Sequence, residues 1–122
     1  MNGAGVTSLL ASTGEDTEGL DVAPSGPDVG KLFVASEGGG NIRTVDAVGT
    51  LTVVANVPSA EELSVVPLSI NTSSLVEGMY GANYAADIVK APASDFVGLA
   101  GDIIITGETT HNVTDLHWNG SA

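Results

Sequence analysis

Short apolar runs separated by polar, glycine-containing turns recur along the chain. Residues 30–49 align without gaps on residues 101–120, so that the apolar run 32–34 matches 103–105 and Glu37 matches Glu108. Each copy has the pattern strand, polar turn, strand, which predicts a β-hairpin. A looser third copy lies between them at residues 78–88. The sequence therefore predicts three hairpins and almost no helix.

A second repeat covers the segments between the hairpins. Residues 5–12 align without gaps on 49–56, and residues 18–24 align on 61–67, which begin 43 positions later. The repeating unit thus has an outer strand, an inner strand and two hairpin strands. Four short strands in roughly 40 residues are typical of a β-propeller blade. A plain β-sandwich is the alternative, although regular strand spacing in sandwiches seldom comes with ungapped self-similarity.

The order of outer, inner and hairpin strands along the chain predicts a dimeric assembly. We divide the chain into one half-propeller with units at 5–49, 50–95 and a partial unit at 96–120. About three four-stranded antiparallel blades cannot close a ring by themselves, because propellers typically have about four to eight. The chain starts with an outer strand and stops before the outer strand of its last blade. We therefore predict a homodimer that closes a six-bladed ring by exchanging N-terminal strands, which removes both exposed sheet edges.

Charge and composition exclude several classes of partner. The chain has 122 residues, 15 acidic and 3 basic side chains, a net charge of -12 and no cysteine. Nucleic acid and anionic membranes need Lys and Arg that are scarce here, and disulfides and thiolate zinc sites need sulfur. The apolar share of 43% indicates a folding chain rather than an acidic tail. The sequence shows no signal peptide or membrane span, and it leaves the compartment open.

Two sequence motifs resemble those of a known family. Residues 17–24 and 30–37, with Asn41 and Ile42, resemble the "E-G-L, G-x-L-x-V-A, I-x-x-V-D-x-x-G" phrasing of six-bladed propellers. These include the NHL-repeat proteins and the calcium-dependent gluconolactonase, paraoxonase and diisopropylfluorophosphatase group. The resemblance implies that a Glu of the E-G motif binds calcium at the channel floor, and Glu18 matches that position. Glu61 is its repeat equivalent, and the amide ligands of that group match no residue here cleanly.

One face of the predicted propeller is strongly acidic. The turns before the inner strands and inside the hairpins open on the same face. Crowded carboxylates raise each other's pKa, and a divalent cation relieves this repulsion. Ca²⁺ takes about six to eight oxygen ligands, whereas Zn²⁺ prefers about four that include nitrogen, which His111 could supply. We expect a divalent metal, calcium rather than zinc, although each residue also has a simpler interpretation as a solvated turn residue. The candidate ligands are Glu18, Glu61, Glu62, Asn83 and Asn112.

Two functions from different classes remain open. The first is a metal-dependent hydrolase of lactones, esters or organophosphate triesters, with Glu18 and His111 as catalytic candidates and Glu37 and Glu108 lining the substrate. The second is a non-catalytic, self-assembling propeller fragment that binds a cation or a small ligand. The acidic face favours the hydrolase, because the resembled group does its chemistry there. We interpret His117 as structural.

Overall fold

The computed structural model describes residues 3–83 and 87–120, with only the backbone described at positions 82 and 83. These residues form an all-β structure, as predicted, with one short 3₁₀ helix at Ala93–Phe96. No helix in this part of the chain is long and apolar enough to cross a membrane. The strands, in chain order, are β1 (Thr17–Val22), β2 (Leu32–Ser36), β3 (Asn41–Val45), β4 (Leu51–Asn56), β5 (Ala60–Val65), β6 (Gly78–Asn83), β7 (Asp87–Pro92), β8 (Ile103–Gly107) and β9 (Asn112–Leu116).

The strands form three antiparallel sheets. Sheet A has the order β1-β2-β3-β4, sheet B has the order β5-β8-β9, and sheet C is the hairpin β6-β7. The three predicted hairpins are confirmed as β2-β3, β6-β7 and β8-β9. The predicted four strands are present in sheet A, while sheets B and C have three and two.

Sheets A and B are built from equivalent residues in the same register. In sheet A, Leu20 pairs with Val34, and in sheet B their repeat equivalents Leu63 and Ile105 pair with each other. Both pairings contain an irregularity at the same place, between the first and fourth residues of the inner strand. The ungapped repeat in the sequence is therefore a repeat of strand pairing, including a bulge that bends the inner strand.

The succession of strands differs from the prediction at one point. We expected the inner strand β5 to pair with the next hairpin in the chain, but it pairs with β8, and β6-β7 is a separate sheet between them in sequence. The apolar run 103–105 explains this choice. Ile105 is completely buried and Ile104 is 9% exposed, whereas Ile88 of the looser hairpin is 79% exposed. A run that is apolar on both faces gains most from a central place in a sheet.

The predicted N-terminal outer strand is also absent from the single chain. The described residues 6–12 form no strand, and Leu9 is 85% exposed. Leu10 and Ala11 lie over the face of sheet A that Leu32 and Val34 form. These residues pair with no described strand in the single chain.

The main core lies between sheets A and B. Alternate residues of a strand point to opposite faces, so Phe33 and Ala35 face sheet B while Leu32 and Val34 face away. Ile42 of sheet A packs in this core with Leu63 and Ile105 of sheet B, and all three are at most 1% exposed. Each such side chain contributes about 1.5–3 kcal/mol by leaving water. A smaller cluster around Ile104, Val66 and Phe96 joins the hairpin β6-β7 to the opposite face of sheet B.

The inner strands of the two sheets approach each other closely at Gly19. A Cβ atom added to Gly19 would overlap the backbone nitrogen of Leu63, so only glycine allows this contact. Two positions further along, the carboxylate of Asp21 accepts a hydrogen bond of 2.8 Å from the backbone N–H of Val65. The contact between β1 and β5 therefore fixes the position of one sheet against the other.

We expect Gly19→Ala to destabilise the protein by about 1–3 kcal/mol, because the obstructing atoms belong to backbone that cannot rotate away. Gly38→Ala is the matched control, since no atom lies within 4 Å of a Cβ built there. Its effect should stay within about 0.5 kcal/mol. Urea unfolding followed by circular dichroism measures both, and equal stability of the two variants would contradict the close packing of β1 on β5.

Candidate metal centre

The candidate site is a group of carboxylates at the turn ends of sheets A and B. Asp16 and Glu18 flank Thr17, the first residue of β1, and Thr17 pairs with Ser36, the last residue of β2. Glu37 follows directly, and its backbone N–H donates to the carbonyl of Asp16 over 3.2 Å. The start of β1 and the end of β2 thus bring three acidic side chains to one place.

Glu108 reaches the same place from sheet B. It follows the last residue of β8, as Glu37 follows β2, and its backbone N–H donates to the carbonyl of Ser59 over 3.2 Å. Ser59 is the repeat equivalent of Asp16, so the two turns have the same geometry. Because the sheets pack face to face, the carboxyl groups of Glu37 and Glu108 lie close enough to interact. We call Asp16, Glu18, Glu37 and Glu108 the acidic group.

The spacing of three members of the acidic group, Asp16, Glu18 and Glu37, suits one cation. Carboxylate oxygens of Asp16, Glu18 and Glu37 all lie within 4.8 Å of one another. Ca²⁺ binds oxygen at about 2.3–2.6 Å, so two oxygens on one ion are at most about 5 Å apart. Asp16 and Glu18 are exposed and Glu37 is partly exposed, so water can complete the coordination. An all-oxygen donor set fits calcium or magnesium better than zinc.

Repulsion within the acidic group raises the pKa of Glu37 above its ordinary value of 4.5. The largest cause is the hydrogen bond with the Glu108 carboxyl, which forms when one of the two holds a proton. The negative charge of Glu108, partial burial and the charges of Glu18 and Asp16 act in the same direction. The acidic group therefore gains either by binding a proton or by binding a cation.

Glu15 stands apart from the acidic group although it is next to Asp16 in sequence. Its carboxylate accepts hydrogen bonds from Arg43 Nη1 at 2.8 Å and from Asn41 Nδ2 at 3.0 Å. Arg43 is 9% exposed and also donates to the Ser36 hydroxyl at 2.9 Å. The Arg43 hydrogen bond is the largest cause that lowers the pKa of Glu15. Glu15 is thus a paired carboxylate that attaches the turn before β1 to sheet A.

Several predicted ligands lie outside the acidic group. Among the residues that the structure describes, it does not contain Glu61, Glu62 or Asn112. Glu62 Oε1 accepts a hydrogen bond of 3.1 Å from the backbone N–H of Leu63, and Asn112 is exposed at the start of β9. The side chain of Asn83 lies outside the described residues. The metal roles predicted for these four residues stay predictions.

His111 occupies a turn position with unusual backbone geometry. Its φ is +54°, close to the +64° of Gly40, which is its repeat equivalent in the first hairpin. Its side chain is exposed. A left-handed backbone at the same place in both hairpins indicates that the turn determines this conformation. The catalytic role predicted for His111 stays a prediction.

A pair that was not predicted from the sequence lies at the other end of sheet B, where Asp102 is buried and the His117 side chain is 58% exposed. His117 Nδ1 lies 2.7 Å from Asp102 Oδ1, which is within hydrogen-bond distance. Asp102 is 4% exposed, and its Oδ2 has no hydrogen-bond partner among the described residues. Burial, followed by the charge of Asp102, raises the pKa of nearby Asp115. The repeat alignment contains one indication of this pair. Asp102 and His117 align with Lys31 and Asp46, so both copies have one acidic and one basic residue at these two positions, in opposite order.

The chain matches no protein family, no curated protein and no solved structure in comparisons with all three. The resemblance to six-bladed propellers therefore stays a prediction from the residues that carry it.

We expect Glu37→Gln to raise the melting temperature at pH 7 when divalent cations are removed with a chelator. The folded protein holds a proton on Glu37 more tightly than the unfolded chain does, so stability falls as pH rises through the raised pKa of Glu37. The gain should shrink as pH falls and vanish below the ordinary value of 4.5, where Glu37 is protonated in both states.

Glu61→Gln is the control for this measurement, because Glu61 lies outside the acidic group. Thermal unfolding at several pH values follows both variants. Two results would show that repulsion at Glu37 does not cause the higher melting temperature. One is the same increase for Glu37→Gln at pH 3.5 and at pH 7, and the other is an equal increase for Glu61→Gln.

Proposed function

We propose that this chain is a divalent-cation-binding module built from two successive blades of a β-propeller. Its inner strands β1 and β5 lie side by side, and one face of sheet A packs on the equivalent sheet B. Inner strands that are neighbours and sheets that stack face to face are the arrangement of adjacent propeller blades. The closed six-bladed ring of two copies stays a prediction for the full assembly.

The spacing of Asp16, Glu18 and Glu37 is the observation that carries the proposal. These residues come from one sheet, and Glu108 adds a fourth carboxylate from the other. A cation held there would stabilise the contact between the sheets as well as neutralise the charge. The proposed ion is calcium, because the donors are carboxylate oxygens with access to water.

No basic side chain is available to neutralise the acidic group. The chain has only three, and each is engaged elsewhere. Arg43 pairs with Glu15, Lys31 Nζ lies 2.7 Å from Asp28, and Lys90 Nζ donates to the carbonyl of Leu75 and lies over the Tyr80 ring. A cation from solution is therefore the charge partner that the acidic group lacks.

The hydrolase that we predicted requires the same ion. In that role the cation would polarise the carbonyl or phosphoryl oxygen of the substrate. Glu18 belongs to the acidic group, whereas His111 is an exposed turn residue outside it among the described residues. Cation binding therefore needs fewer assumptions than catalysis, and we propose it as the function.

Calcium titration by isothermal calorimetry tests the proposal. We expect a Kd of about 10⁻⁴ to 10⁻³ M, the range of modules that bind calcium at exposed sites. Calcium at 100 times Kd should add about 2.7 kcal/mol to the stability. Glu18→Gln should weaken binding at least tenfold, because it removes one charged ligand, while Glu61→Gln should leave Kd unchanged. Absence of heat and of thermal stabilisation at about 10 mM calcium, or an equal loss in both variants, would contradict the proposal.

Hydrolysis of an aryl ester and an aryl phosphotriester, measured with calcium and after chelation, separates the two functions. Turnover that needs calcium and disappears in Glu18→Gln would support the hydrolase. Calcium binding without turnover is the result that the proposed function predicts.

A further inference from the structure

We infer that the free edge of β9 binds residues 6–12 of a second copy of this chain as a fourth strand. The inference rests on the proposed blade architecture and is independent of the cation. Four observations on the two equivalent sheets lead to it.

The first observation is that sheet B lacks the strand that completes sheet A. β4 pairs with β3 from Asn41↔Asn56 to Val45↔Leu51. β9 is the equivalent of β3, and no described strand pairs with its outer edge. The unpaired N–H and C=O groups of such an edge are a template for another strand.

The second observation is the exposure of the residues beside this edge. Val113 on β9 is 72% exposed, whereas its equivalent on β3, Ile42, is completely buried. Ile42 is covered by sheet B and, at its side, by Ala55 of β4, which pairs with it and packs against the same core. Val113 has no described strand on its outer side that could supply the equivalent of Ala55.

The third observation identifies the segment that fits the edge. Residues 5–12 align without gaps on 49–56, which contain all of β4. In the single chain these residues form no strand, and Leu9 and Leu10 are 85% and 48% exposed. The chain therefore carries the sequence of an outer strand that has no sheet of its own.

The fourth observation shows why a second copy is needed. Leu10 lies against Gly49 and over the face of sheet A that contains Leu32 and Val34. Sheet B packs on the opposite face of sheet A, through Phe33 and Ala35. Sheet A therefore separates the N-terminal segment of a chain from its own β9, so residues 6–12 can reach this edge only on a second copy.

The repeat also gives the register of the proposed pairing. Asn41↔Asn56 and Thr44↔Thr52 pair in sheet A. Their equivalents predict that Asn112 pairs with Ser12 of the second copy, and Asp115 with Ser8. All four of these residues are exposed in the single chain.

Cysteine pairs test this register, since the chain has no cysteine of its own. Ser12→Cys mixed with Asn112→Cys, and Ser8→Cys mixed with Asp115→Cys, should form intermolecular disulfides. Two exchanged mixtures are matched controls: Ser8→Cys with Asn112→Cys, and Ser12→Cys with Asp115→Cys. In each of them the two cysteines are about 13 Å apart along the strands in the proposed register. A disulfide needs Cα atoms about 4.4–6.8 Å apart. At least a tenfold excess of the first two products supports the inference, and equal yields in all four mixtures overturn it.

The oligomeric state gives a second, independent test. Light scattering at about 100 µM should give at least twice the chain mass of 12.2 kDa. Replacing both Ser8 and Leu9 by proline should reduce the mass to that of one chain. The N–H groups of neighbouring residues point to opposite edges of a strand, so one of these two N–H groups faces β9 in the proposed pairing, and proline removes both. Replacing both by threonine should preserve the dimer.

A single-chain mass for the unsubstituted protein, or a dimer that survives the prolines, overturns the inference. Both tests are made in EDTA, so that they decide strand pairing whether or not the protein binds calcium.

Discussion

The structure depends on the close approach of β1 to β5, which is possible only because residue 19 is glycine. This contact places the two inner strands side by side. The Asp21 carboxylate stabilises it by accepting a hydrogen bond from the backbone N–H of Val65. The rest of the packing follows from it. The core residues Ile42, Leu63 and Ile105 interdigitate, and the turns after β2 and β8 meet at one end of the molecule. The acidic group is therefore a consequence of how two equivalent sheets stack.

Stacking equivalent sheets has an electrostatic cost. In each unit a glutamate directly follows the first hairpin strand, Glu37 after β2 and Glu108 after β8, and stacking brings the two carboxyl groups near each other. In a chain with a net charge of -12 and three basic side chains, a proton or a metal ion is the means left to reduce that cost. Among the residues that the structure describes, the second unit has no counterpart of the outer strand β4, so one edge of its sheet has no neighbouring strand. Both the site and the edge thus arise from the duplication of one unit.

The fold could be predicted from the sequence where the repeat is regular. The ungapped match of 30–49 with 101–120 predicts both hairpins, and the match of 18–24 with 61–67 predicts both inner strands, β1 and β5. Prediction failed where the order of strands depends on competition between partners. β5 could pair with the nearer hairpin or with the more apolar one, and burial of Ile103–Ile105 favoured the second. For the site, the sequence predicted a metal and catalytic role for Glu18 and a substrate-lining role for Glu37 and Glu108. The structure places Glu18 and Glu37 close together and adds Asp16 from the same turn. The Asp102–His117 pair was missed, because its members are 15 positions apart and the residue types of their repeat equivalents, Lys31 and Asp46, are reversed in order.

The central claim is that β5 pairs with β8 across the inserted hairpin, so that sheets A and B are equivalent. Cross-strand nuclear Overhauser effects in a labelled sample test it most directly. Sheet B predicts contacts between the backbones of Leu63 and Ile105 and of Val65 and Ile103, in the register that Leu20 and Val34 show in sheet A. Backbone contacts between β5 and the strand Gly78–Asn83 in their place would contradict the account.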